Sequence, residues 1–152
     1  MPDSTPPVSI QTTAGFSYSR RNDGIHVFRF VDNRRETVDA WSKTLLELER
    51  ETLRNHEHIR CMYYIQRIWL TPYVIKTAIR TARLGSDYIK SSSAILVADR
   101  FGSALFQTLL RQLPVQALQA RQIFTNEDDA VKWLDERLRL LEHITIVEPG
   151  QD

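Results

Sequence analysis

The stretch IRCMYYIQRIWLTPYVIKTAIRTARL, residues 59–84, reads as a strand, a loop and a helix in succession. Ile59 to Ile65 is a short, mainly apolar run of strand length. Gln66 to Leu70 then leads into Thr71-Pro72, a strong helix start. The Thr hydroxyl accepts an otherwise orphaned backbone N–H, and Pro fits the first helical position, where no N–H is needed. Tyr73, Val74, Ile75, Ala78, Ile79 and Ala82 give this helix its apolar side, and Leu84-Gly85-Ser86 ends it with a glycine stop. In an open α/β sheet, the loop leaving the C-terminal end of a strand is where a ligand, a partner or a phosphoryl group sits. The Thr71 corner is therefore the first candidate site, although it brings no catalytic equipment with it.

Upstream, two apolar segments, Phe16 to Tyr18 and Ile25 to Val31, flank Arg20-Arg-Asn-Asp-Gly24, which has the chemistry of a hairpin turn. In the second arm Ile25 and Val27, with Arg29, alternate with His26, Phe28 and Phe30, so both faces are apolar and the strand is internal; His26 reads as a packed histidine. Val38, Trp41, Leu45 and Leu48 recur at helical spacing between Thr37 and Arg54. Asn55-His-Glu-His58 then breaks the pattern. His56 and His58 have no third ligand nearby and read as a polar connecting loop.

Downstream, Ser93 to Val97 and Gln119 to Phe124 are short strands, Arg100 to Leu113 is a helix closed by Pro114, and Thr125 to Asp129 starts a last helix. Ala130, Trp133, Leu134, Leu138 and Leu141 mark its buried side. The order β-β-α-β-α-β-α-β-α predicts an α/β fold with a single mixed, mostly parallel sheet and an N-terminal β-hairpin. Ile144 to Val147 reads as a further edge strand, in this sheet or in that of a second copy. Residues 1–7 read as a disordered leader, 8–147 as one domain and 148–152 as a tail.

The chain's 152 residues suit one domain with a substantial core, and its composition, 42% hydrophobic and 26% charged, is that of a globular protein. No apolar run reaches membrane-spanning length, and the first residues do not form a secretory signal, which implies a cytoplasmic location. Cys61, the one cysteine, lies in an apolar strand and reads as a buried thiol. A net charge of +1 argues against a dedicated nucleic-acid binder. Residues 60–122 nevertheless carry nine Lys or Arg against two Asp, while 123–152 carry three basic residues against eight acidic ones. These segments read first as solvated helix faces; otherwise they attract each other within the fold or present separate faces to partners.

Four histidines without a neighbouring nucleophile motif, and no glycine-rich phosphate loop, argue against an enzyme. Neither a metal nor a cofactor is implied. Lys76, Arg80 and Arg83 form one basic stripe on the helix after Thr71, with Arg67 and Lys90 expected nearby. That stripe suits a small anionic ligand or a lipid headgroup. Phe101, Leu105, Phe106, Leu109 and Leu110 form a broad apolar helix side, and any part the sheet leaves uncovered suits a homodimer.

This element order, the Thr71-Pro72 helix start, the strand Ala94-Ile-Leu-Val-Ala98 and the ending Ile123-Phe-Thr-Asn-Glu-Asp-Asp-Ala-Val-Lys-Trp-Leu134 resemble the STAS-like family of anti-sigma-factor antagonists, with the SpoIIAA-like fold. The resemblance implies a non-enzymatic regulatory module that binds a protein partner. It also implies a switch by phosphorylation of a hydroxyl at the start of the helix following the central strand, the position of Thr71. The family's usual Asp, hydroxyl, Ser-Gly pattern is replaced here by Leu70-Thr71-Pro72-Tyr73, and only the hydroxyl is kept. Arg67 and Tyr73 complete the expected partner surface.

Overall fold

The computed structural model describes the backbone of residues 8–13 and residues 15–65, 70–85 and 88–144 in full. Its central strand is β4, Ile59–Tyr64, almost entirely buried because both of its faces are covered. That explains its unbroken apolar character, since a strand covered on both sides loses the alternation of a half-exposed one. β3 (His26–Phe30) and β5 (Ser91–Leu96) flank it in parallel. β6 (Gln119–Phe124) extends the parallel part, while β2 (Phe16–Arg20) and β1 (Val8–Thr13) add antiparallel strands on the other side. The result is one six-stranded sheet in the order β1-β2-β3-β4-β5-β6.

Four helices alternate with these strands: α1 (Arg35–Asn55), α2 (Pro72–Leu84), α3 (Arg100–Gln112) and α4 (Glu127–Leu141). Each crossover from β3 to β6 advances one position in the same direction, so right-handed connections carry α1, α2 and α3 to one face. The main core lies there. Phe16, Phe28, Cys61, Tyr63 and Ile95 from the sheet meet Trp41, Leu45, Ile75, Ala78, Phe106 and Leu109 from the three helices. Its aromatic rings form a continuous run, with Phe28 stacked 4.9 Å from Tyr63 and Trp41 edge-on to Tyr63 at 6.3 Å. α4 returns across the opposite face, where Ala130 and Leu134 close over Ile25, Val27, Met62 and Ala94.

The hairpin expected at Asn22 to Gly24 joins β2 to β3, with Gly24 at φ 87°, a left-handed conformation that suits glycine. Before it stands a strand the sequence reading passed over, β1, which pairs with β2 across a register shift between Ser9 and Gln11. Thr71 caps α2 as expected: its Oγ1 accepts the Val74 N–H at 3.2 Å, and Pro72 takes the first helical position. Gly85 does not act as the expected left-handed stop. Its backbone is extended (φ −67°), and a side chain there would collide with Glu49 of α1, the Cβ lying 2.6 Å from Oε2. The left-handed cap belongs instead to His56, at φ 55° after α1. β5 begins at Ser91, two residues before the expected Ser93. The leader, most of the Ile144 to Val147 strand and the tail fall outside the described residues.

Candidate functional site

At the Thr71 corner, the hydroxyl is half-buried and engaged with the first turn of α2. Tyr73 turns toward α1. Its hydroxyl donates to Asp39, and the Arg35 guanidinium lies 4.7 Å over its ring. Arg67 lies outside the described residues. Lys76, Arg80 and Arg83 are exposed along α2. Arg80 lines a shallow groove against α1 together with Asp39, Lys43, Glu47 and Arg50, so the positive stripe meets acidic as well as basic neighbours. Lys90 does not join that stripe. It is buried under the opposite face, where its Nζ donates to the Leu141 carbonyl at 2.7 Å and caps the end of α4.

That opposite face holds a concentration of cations. Arg60 is buried and binds Asp135 at 3.0 Å and the Asp23 carbonyl. Arg137 donates to Ser92 Oγ at 3.1 Å, and His58 Nε2 meets the same hydroxyl at 2.9 Å. Burial, with the charges of Arg60, Arg137 and Lys90, pushes His58 down to about 4. Burial likewise pushes His26 down to about 4, with Arg20 and Arg60 adding to it, and its Nδ1 lies 2.6 Å from the Tyr18 hydroxyl. Both histidines are therefore neutral parts of the packing at neutral pH. Cys61 is fully enclosed, and burial raises its thiol far from ionisation. Among the described residues no group of three His, Cys, Asp or Glu is placed to hold a metal.

The feature the sequence reading missed is a cavity of about 150 Å³ between the sheet and the layer of α1, α2 and α3. Small side chains make it. Ser91 and Ser93 on β5 face Ala78, Thr81 and Ala82 on α2, and none of them fills the space between the layers. Trp41, Tyr63, Ile95, Phe106 and Leu110 supply apolar walls. α1 and α2 approach closely beside it, where a pair of small hydroxyl side chains meets, Ser42 Oγ to Thr81 Oγ1 at 2.5 Å.

Polar groups gather at the end of the cavity near the starts of β5 and β6. Glu49 reaches in from α1 over the bare Cα of Gly85, and its Oε2 is buried with no hydrogen-bond partner. Burial pushes its carboxyl up to about 7, against the pull of Arg121. Arg121 enters from β6 and donates to the Pro114 carbonyl at 3.1 Å; burial weakens its basicity. At the far end Asp32 stays well ionised, because Thr37 Oγ1 and the Arg34 N–H both donate to it. The arrangement is thus an apolar chamber with one weakly acidic and one cationic group at one end. Such chambers bind small molecules, the polar groups setting orientation.

The fold is SpoIIAA-like: an α/β sheet that begins antiparallel, continues parallel and carries helices on both faces. A solved structure of an uncharacterized protein of the DUF3478 family with a SpoIIAA-like fold, from Shewanella loihica PV-4, superimposes with a TM-score of 0.53. The match covers 82% of this chain and 98% of that one at 14% identity. No family model and no curated protein matches the sequence. Among the described residues no helix is long and apolar enough to cross a membrane.

Proposed function

We propose that this chain is a non-catalytic binding module that holds a small, mainly apolar molecule in the cavity between the sheet and the α1 to α3 layer. The observation that carries this reading is the chamber itself, an apolar space of about 150 Å³ with a polar end. The enclosure of Cys61, whose thiol burial holds protonated, supports a non-catalytic role. A thermal-shift screen of the full chain against single-ring and six-carbon compounds tests the reading. A saturable rise in Tm that is abolished in Ala82→Leu, which fills the space, is the expected result. No response from any compound of that size overturns it.

A second reading concerns regulation in the cytoplasm through a protein partner, and it is favoured by the place of Thr71. The hydroxyl stands at the positive end of α2, where a phosphate would be well received and would alter the surface a partner reads. Thr71 and Tyr73 are proposed for this surface, with Arg67, which lies outside the described residues, as a third member, and the exposed Lys76, Arg80 and Arg83 as the basic face for an acidic partner or an anionic headgroup. Thr71→Glu should release a captured partner that Thr71→Ser retains; equal retention by both removes the reading. A second copy of the chain would seat on the part of α3 left outside the core, where Phe101 is 63% exposed.

A further inference from the structure

We infer that the molecule held in the cavity is a small monocarboxylic acid, its carboxylate received by Arg121 and by Glu49 acting as a hydrogen-bond donor. The inference rests on the cavity being a binding site. It comes from the mismatch between the two groups at its polar end. Among the described residues Arg121 donates from Nη1 to the Pro114 carbonyl, and its guanidinium, with five N–H groups, lines the cavity. Glu49 has a buried oxygen with no partner, although a buried polar atom is normally paired. One ligand group suits both side chains, which line the same cavity. A carboxylate accepts from the guanidinium with one oxygen and from a protonated Glu49 with the other.

Charge selects among ligand classes. Among the described residues the groups coupled electrostatically to Glu49 are Arg121 from β6 and the neutral Tyr63 and Cys61 from β4, and the bare Gly85 after α2 lies against its carboxylate. With Glu49 protonated, this end of the chamber carries one positive charge, complementary to a monoanion. An amine would be repelled by Arg121, and an alcohol would leave the guanidinium without a counter-charge. A dianion would place its second charge against the apolar walls or toward Asp32, which is ionised. The size limit is equally plain. A space of about 150 Å³ admits a body the size of benzene, so the part of the ligand seated inside it is one ring or a chain of about six carbons.

Calorimetric titration of the full chain with benzoate and hexanoate, against benzyl alcohol, hexanol and benzylamine, tests this. At about pH 6 the carboxylates should bind about tenfold or more tightly than the alcohols, and benzylamine most weakly. Raising the pH to about 8.5 should weaken the carboxylates about tenfold while leaving the alcohols unchanged, because an ionised Glu49 repels the carboxylate. Glu49→Gln, which keeps an N–H donor, should retain the preference for carboxylates and lose its pH dependence. Arg121→Gln should lose the preference and still bind the alcohols. Alcohols binding as tightly as the acids, or the amine binding best, overturns the carboxylate assignment and leaves the cavity as a binding site. Silence from every compound overturns both. The comparison of acid with alcohol in the unaltered chain decides the matter even if a variant fails to fold.

Discussion

Glu49 is where a single side chain sets how stability depends on pH. Its carboxyl is pushed from an ordinary 4.5 up to about 7 by burial, so in the folded chain it stays protonated over a range in which the unfolded chain has lost the proton. The stability it supports is fully present below about pH 4.5 and is lost as the pH rises through about 7. Glu49→Gln should flatten that limb and raise stability at pH 8 by on the order of 2 to 3 kcal/mol, read from urea midpoints across pH. His26 and His58 act in the opposite sense. Held down to about 4, they are neutral when folded, and stability intact above about 6.5 is lost as the pH falls toward 4. The site was poorly legible at this scale. Glu49 falls on the α1 pattern as one more polar position among several, and nothing local marks it as the one that turns inward. Its clue was Gly85, which the sequence offers as a helix stop and the structure uses as clearance for the Glu49 carboxylate.

At the scale of elements, legibility followed how local the causes are. α2 was readable to the residue because Thr71, Pro72 and the apolar stripe act within one turn of the chain. The expected outcome of Thr71→Val is a loss of about 1 kcal/mol, the orphaned Val74 N–H being returned to water, while Thr71→Asp keeps the cap and the stability. Equal denaturation midpoints for the two would show that the cap contributes nothing. β3 and β4 were readable because strands covered on both faces lack polar alternation. β1 was not. Val8-Ser-Ile-Gln-Thr-Thr13 has few apolar residues and lies at the sheet edge, so its stability comes from the ladder to β2, a pairing that no single segment displays. The cavity is an emptiness between elements. It arises where the Ser residues of β5 meet the Ala and Thr residues of α2, and each set alone reads as ordinary strand or helix.

Over the whole molecule, a contact joins the basic middle of the sequence to its acidic end, while Lys76, Arg80 and Arg83 stay exposed on α2. Arg60 from the basic middle binds Asp135 from the acidic end, and the earlier Arg21 reaches Glu127 at 3.4 Å. The first contact matters more, because Arg60 is buried with Lys90 and Arg137 close to the same His58, and Asp135 is the carboxylate that meets this group. α4 thus does two things at once: Leu134 and Ala130 close the second core, and Asp135 offsets the cations beneath them. Asp135→Asn keeps the shape and removes the charge. It should destabilise the chain by about 2 to 3 kcal/mol, somewhat below the loss for a fully buried pair, since Asp135 is half-exposed. The loss should fall on α4 first. Native-state hydrogen exchange should then show α4 amides opening at lower free energy while β3, β4 and β5 keep theirs, because the larger core under α1, α2 and α3 does not depend on this charge. Uniform acceleration across sheet and helices would mean that the two faces unfold as one unit and that Asp135 stabilises the whole sheet rather than the seating of α4.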